Sequence, residues 1–349
     1  MTDAEPLSLS GRRPTINDVA RRAGVSRATA SLVIREAPGP SAATRERVER
    51  AVAELGYEPS ATAQLLRRSR SRLIGVVFTT HDPFHGDLLE HLYAASEGTG
   101  YDIVLSAVTS RRREGAAIAT LMSSRVEALV LLGARRVQGG LDGLASRLPI
   151  VDLGGDRGAS LVDSVHTAED RGVVEAVDHL VALGHRRIAH VDGGDLPGAA
   201  ARRRGYLEAM RAHRLDAEAR VIPGDYTEVS GAEAVDRLLS RTPGRHKAAG
   251  LPTAIVAGND RCAAGVLDAA RQRGIRVPDE LSIVGFDDSQ LARLAHVDLT
   301  TIRQDATGLA AAAIECAIER VEGVRRETLD IGLEPTLVVR GTTGPAPAR

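Results

Sequence analysis

Between Thr15 and Leu66 the chain is punctuated too tightly for anything but a set of short helices. Thr15 is a good N-cap, and Asp18 follows three residues later, near the positive helix end. Ile16, Val19, Ala20 and Ala23 then recur at helical spacing until Gly24 stops the run. Ser26 caps a second helix through Ile34. Its predicted inward residues are Val25, Thr29, Ala30 and Val33, and its outward ones are Arg27, Ala28 and Ser31. Ser41 or Thr44 caps a third helix ending at Leu55-Gly56, with Val48, Ala51, Val52 and Leu55 on one face and Tyr57 against the small core. Pro59 and Ser60 open a fourth segment, SATAQLL over residues 60–66. Alone it is too short to hold a helix in water, so it becomes helical only against a partner.

Two short helices joined by a glycine turn, the second opened by Ser26, form a helix-turn-helix, which presents one helix to a DNA major groove. Charge agrees with that reading. Residues 1–72 hold 13 Arg against 8 acids, whereas residues 73–349 hold 32 basic against 38 acidic residues. A net basic head suits a polyanion and a net acidic body does not. Arg27 can pair bidentately with a guanine edge, and Ala28 can touch a thymine methyl. Thr15, Ser26, Thr29, Ser31 and Arg45 have the chemistry for phosphate contacts, although Arg45, Arg47 and Arg50 also suit a solvated surface. Leu65 and Leu66, beside Arg67, Arg68, Arg70 and Arg72, form an apolar tip among cations. Minor-groove wedges are built that way, and so is a plain linker.

The rest of the chain alternates strand and helix patterns, beginning with the β-branched run LIGVVFT at residues 73–79. Strands are predicted over 102–107, 128–132 and 150–153, with helices near 87–99, 114–123 and 139–147. A second run adds helices over 169–183, 199–213, 230–239 and 260–273. Its strands fall at 187–192, 220–223, 254–257 and 282–286. This alternation predicts two tandem α/β lobes with open parallel sheets and a cleft at the carboxyl ends of their strands. Polar residues crowd those ends: Asp82, Asp192, Asn259, Asp260, Asp287 and Asp288.

Several chemistries lack their signatures. There is no G-x-G-x-x-G, no G-x-x-x-x-G-K-[ST] and no G-x-S-x-G. No cofactor and no metal is expected; His81 and His85 near Asp82 and Asp87 read as loop or ligand-facing histidines rather than a metal set. Cys262 and Cys316 lie in apolar helical patterns and read as buried thiols of a reducing compartment. No secretory or membrane-spanning apolar run is found, so a cytoplasmic location with no membrane partner is expected.

These residues carry a family resemblance. TINDVA (15–20), AGVS (23–26), T-x-S (29–31), TRxRV (44–48), LGYxP (55–59) and AxxL (63–66) resemble the headpiece and hinge of the LacI/GalR family of bacterial repressors. The body adds SRLIGVV (71–77), DPF (82–84), HLxxLGHRRI (179–188), RxxGY (202–206), ND (259–260), VPxELSIVGFDD (277–288) and LTTIRQD (299–305). The resemblance runs from Pro14 to Arg340. It implies a helix-turn-helix headpiece with a hinge helix, then a two-lobed, periplasmic-binding-protein-like α/β domain. Base readers then fall on Arg27 and Ala28, and hinge contacts on Ala63 and Leu66, with Leu66 in the minor groove. Effector contacts fall on Phe84, Arg202, Asn259, Asp287 and Gln304. Departures are LVIR at residues 32–35, Ala30 where Val is usual, and Gly154-Gly155 where many members carry an Asp.

The resemblance and residues together predict a sequence-specific, allosteric DNA-binding repressor, a homodimer on near-palindromic double-stranded operator DNA. Its effector is expected to be a sugar or polyol, with induction the expected sign. A purine is the alternative ligand, disfavoured by an aromatic content of 2%. A cleft enzyme would leave the headpiece unexplained, and a transport-type binding protein would not need a basic head. The predicted divisions are a disordered tail at 1–13, a headpiece at 14–58, hinge and linker at 59–72, the two-lobed domain at 73–340, and an unfolded polar, Pro/Gly-rich tail at 341–349.

Overall fold

The computed structural model describes residues 14–35, 37–57, 70–133, 140–155, 161–240 and 251–348. It divides into two units, Met1–Ser71 and Arg72–Arg349. Ala63 and Leu66, the anticipated hinge contacts, lie outside the described residues.

The first unit holds α1 (Ile16–Ala23), α2 (Arg27–Ile34) and α3 (Ala42–Leu55). Gly24 takes φ +65°, the left-handed turn a Cβ would resist, and so lets α1 and α2 meet at a sharp corner. Ser41, not Thr44, takes the N-cap of α3, accepting from the Thr44 amide at 3.3 Å. Val19, Ala20, Ala30, Val33, Val48 and Ala51 form a small core. Ala30 is fully buried, so the small residue at that place fills the core rather than facing out.

The second unit begins with β1 (Leu73–Thr79), α4 (Pro83–Ser96), β2 (Asp102–Val108), α5 (Glu114–Ser123), β3 (Ala128–Leu132), α6 (Gly140–Ala145), β4 (Ile150–Leu153) and β5 (Asp163–Thr167). It continues through α7 (Glu169–Ala182), β6 (Ile188–Val191), α8 (Ala199–Ala212), β7 (Arg220–Ile222), α9 (Glu228–Ser240), β8 (Ala254–Ala257), α10 (Asp260–Gln272), β9 (Ser282–Asp287) and β10 (Thr300–Arg303). The last elements are α11 (Ala306–Glu322), β11 (Asp330–Leu333) and β12 (Thr336–Val338). Helix α4 starts four residues before the expected Asp87, because Asp82 accepts from the Phe84 amide at 3.0 Å and Pro83 needs no amide donor.

One sheet runs β11-β5-β4-β3-β1-β2, all parallel, and the other β12-β10-β9-β8-β6-β7, parallel except for β12 against β10. On the first sheet, α4 and α11 cover one face, and α5 covers the other. On the second, α9 and α10 cover one face, and α7 and α8 the other. The lobes are therefore interleaved, which corrects the tandem expectation. The chain leaves the first lobe after β5, returns for α11 and β11, and crosses again into β12. Three crossovers join the lobes: Thr167 to Glu169, Arg303 to Ala306, and Leu333 to Thr336.

The expected unfolded tail is a second correction. Thr342 is buried, its carbonyl accepts from the Ile283 amide at 2.8 Å, and its hydroxyl donates to the Ile283 carbonyl at 2.7 Å. The Gly344 carbonyl meets His185 Nε2 at 3.0 Å, and the Ala346 amide donates to the Leu183 carbonyl. Long-range hydrogen bonds, which composition cannot register, hold a segment with almost no apolar area to bury.

Candidate functional sites

In the headpiece, Ser26 opens α2 by accepting from the Thr29 amide at 3.0 Å, and the two hydroxyls are 2.9 Å apart. Ser26, Arg27 and Ala28 are all exposed on this first turn. The turn combines free amide donors, a long cation and a small residue that permits close approach, as a groove-reading surface requires. Ser31 corrects the expected outward set: it is buried at 7% exposure. Thr15 donates from both amide and hydroxyl to Asp18, at 2.8 and 2.6 Å, so its first role is to build the capping box. Arg45 reaches back to the Ala37 carbonyl at 3.2 Å, while Arg22 is paired with Glu54.

In the body, a solvent-open cavity with about 670 Å³ of empty space in and around it lies where the strand ends of both sheets converge. Phe84, Arg202, Asn259, Asp287 and Gln304, the five residues expected there, all line it. Asp82, also expected near the strand ends, joins them, whereas Asp192, Asp260 and Asp288 do not line the cavity. Those three serve the protein instead. Asp288 is enclosed by Arg293, Arg303 and Arg340. Asp260 accepts from the amide and hydroxyl of Ser289 and from the Thr301 hydroxyl. Burial pushes its carboxyl up to about 7 against those hydrogen bonds.

Arg202 is the centre of the arrangement. It projects from α8, is 5% exposed, and donates to both Glu169 oxygens at 3.1 and 3.2 Å and to the Gly258 carbonyl. Its guanidinium lies 3.8 Å from the Phe286 ring centre and 5.2 Å from that of Tyr226. Burial opposes the charge, but Glu169 foremost and Asp287 hold it in place. Gly198, at the start of α8 with φ +77°, has no room for a Cβ because the Glu169 carboxylate occupies that space.

Asp287 ends β9 with φ +116°. Gln304 Nε2 donates to its Oδ1 at 2.8 Å, and Arg202 Nη2 stands 3.7 Å from the same oxygen. Burial raises the Asp287 carboxyl well above the usual range, Arg202 pulls it down, and Asp82 raises it again. Gln304 is therefore a brace as well as a lining residue, since its Oε1 accepts from the Thr167 hydroxyl at 2.7 Å. Asn259 caps α10, accepting from the Cys262 amide at 2.8 Å, which leaves its NH₂ group for the cavity.

The sequence reading missed Glu169, Tyr226 and Leu196-Pro197, all of which line the cavity. Glu169 looked like an acid of a helix first turn, and Tyr226 sits in a loop 24 residues beyond its partner Arg202. No local pattern marks such a pairing. His85, singled out earlier only as a possible ligand-facing residue, also lines the cavity and accepts from the Thr79 amide through Nδ1 at 3.1 Å. Among the described residues there is no cluster of three or more groups able to hold a metal, and no helix long and apolar enough to cross a membrane.

Residues 15–60 match the family model for bacterial regulatory proteins of the lacI family, and residues 177–343 match that for a periplasmic binding protein-like domain. The HTH-type transcriptional regulator DegA of Bacillus subtilis is 32% identical over 95% of this chain and 99% of its own length. The HTH-type transcriptional repressor PurR of Klebsiella pneumoniae is 31% identical over 95% and 98%. Among solved structures, a LacI transcriptional regulator from a Rhodococcus species is 47% identical, with a TM-score of 0.74 over 79% of this chain and all of that one. A lac repressor dimer bound to operator and an anti-inducer is 29% identical, with a TM-score of 0.80 over 95% of this chain and all of that one.

Proposed function

Because the chain belongs to the LacI family and is a DNA-binding transcriptional regulator with an effector-binding body, we propose that a hydroxyl-rich ligand in the body cavity controls its hold on a near-palindromic operator. The observation that carries this reading is the cavity itself. Five residues expected there line it, and acceptors at Asp82 and Asp287 and the donor amide of Asn259 share its wall with the rings of Phe84 and Tyr226. A sugar presents the same alternation, with hydroxyl donors and acceptors around an apolar ring face. The protein acts as a homodimer, each copy offering Arg27 and Ala28 to one half-site and Leu66 to the central minor groove. Such a regulator works in the cytoplasm, where its DNA is. Its matched relatives are regulators and not enzymes.

A purine ligand is the second reading. The matched relatives include PurR repressors, and two aromatic rings, Phe84 and Tyr226, line the cavity of a chain with three Phe, five Tyr and no Trp. Low aromatic content overall therefore does not exclude a stacked base. Thermal shift of the full-length protein against neutral sugars, polyols and purine bases decides between the two: stabilisation by bases alone sinks the sugar reading. For the headpiece, Arg27→Ala costs about 1–3 kcal/mol on the preferred operator and relaxes one base position. Band shifts on operator and random DNA check this, and equal losses on both would reduce Arg27 to a phosphate contact.

A further inference from the structure

Charge in the cavity does not balance. Among the described residues, Arg202 is the one Lys or Arg that lines it, against Asp82, Glu169 and Asp287. Both oxygens of Glu169 are bonded to the Arg202 guanidinium, and its remaining nitrogen serves the Gly258 carbonyl. Nη2 of the same group also stands 3.7 Å from Asp287 Oδ1, so this single cation is divided between two carboxylates. His85 adds no positive charge, because its Nδ1 accepts from the Thr79 amide and so carries no proton. Three lining carboxylates therefore share one guanidinium: Asp287 of the second lobe has Arg202 only at 3.7 Å and in competition with Glu169, and Asp82 of the first lobe has no Lys or Arg of its own among the lining residues.

Their positions make the imbalance directional. Asp82 caps α4 through Oδ1, and its Oδ2 stands 3.9 Å from His85 Nε2. Asp287 is 6% exposed; its Oδ1 is taken by Gln304, while its Oδ2 has no hydrogen-bond partner among the described residues. A carboxylate oxygen at a cavity wall that no protein group engages is open to a donor from a ligand. Asp82 disfavours ionisation of Asp287 from across the cleft. Any pose that draws the lobes together brings like charges closer, unless something between them carries the opposite sign.

Resting on the reading of this cavity as a sugar-type effector site, we propose that the effector is a hydroxyl-rich cation, an amino sugar or aminocyclitol, whose ammonium group bridges Asp82 and Asp287. An ammonium offers three donors and one positive charge, which satisfies Asp287 Oδ2 and cancels repulsion between the lobes in a single group. The same reasoning excludes phosphorylated sugars and sugar acids, which would add negative charge to a cavity whose three carboxylates already outnumber its one guanidinium.

The test is calorimetry on the full-length protein at pH 6.5. The probes are glucosamine, galactosamine and mannosamine, each beside its parent hexose, the hexose 6-phosphate and the corresponding uronic acid. At least one amine binds tenfold or more tightly than its parent, and no phosphate or uronate binds. In Asp82→Asn the amine-to-parent affinity ratio falls severalfold towards one, whereas a variant that had merely lost packing would weaken both ligands alike. Parent hexoses binding as tightly as their amines, or binding while no amine does, overturns the charge proposal and leaves the sugar reading standing. Silence from every probe overturns it as well. Heat from purine bases alone overturns both readings.

Discussion

At residue scale, Arg202 shows how one side chain serves packing and site together. It neutralises Glu169, holds Gly258, lies on Phe286 and faces Asp287. Arg202→Met would leave two buried carboxylates without their cation, so a loss of about 3–5 kcal/mol is expected in urea unfolding of the body. A loss below about 1 kcal/mol would mean that the carboxylates are satisfied in some other way. His190 is a second case. It is 1% exposed, donates from Nδ1 to the Val256 carbonyl at 3.0 Å, and leaves Nε2 without a hydrogen bond, 4.0 Å from Asp192 Oδ1. Burial lowers its pKa to about 4, against the opposing pull of Asp192. The unfolded chain therefore takes up a proton that the folded chain refuses. Stability is complete above about pH 6.5 and falls as pH drops towards 4, by on the order of 3 kcal/mol. His190→Asn keeps the donor and removes the titration, so its stability curve should be flatter over that interval; an unchanged slope would assign the acid sensitivity to other groups.

At the scale of elements, the segment after β12 behaves as part of the second lobe. Thr342, Thr343 and Gly344 bond to Ile283, Thr300, His179, His185 and Ser282. Truncation after Arg340 would strand several of these buried partners, each worth about 1 kcal/mol net. The urea midpoint of the body should therefore fall by the equivalent of roughly 2–4 kcal/mol. An unchanged midpoint would show the tail to be passive. Strand β5 illustrates why some elements escape a sequence reading. DSVHT carries one apolar residue, yet Asp163 is fully buried because Arg320 and Arg325, on and just beyond α11, neutralise it at 3.3 and 2.8 Å. Polar residues that a period-2 pattern would turn towards water are held inside by partners more than 150 positions away.

At the scale of the whole molecule, three neighbouring crossovers join the lobes, and two of them are tied by the Thr167–Gln304 hydrogen bond. A ligand gripping Asp82 on one lobe and Asp287 on the other biases the lobes' relative pose about those crossovers. If that pose sets operator affinity, linkage is reciprocal: effector weakens operator binding by the same factor by which operator weakens effector binding. Operator affinity at zero and saturating effector, paired with effector affinity with and without operator, checks this. Unequal factors would reveal a further linked equilibrium, and no change in either would detach the cavity from DNA control. Induction is the expected sign.

Some of this was present in the order of residues alone. Helix caps, glycine stops and β-branched runs are local, so the headpiece helices and most strands of the body could be read one window at a time. The strand ends also announced Asp82, Asn259 and Asp287, but the same pattern offered Asp192, Asp260 and Asp288, which do not line the cavity. Tertiary structure decided the rest. Only the folded chain interleaves the lobes, turns Ser31 inward, straps down the tail and sets Glu169 and Tyr226 against Arg202. Each of these depends on partners far apart in sequence, whose attraction exists once the backbone has brought them together and water has been excluded from between them.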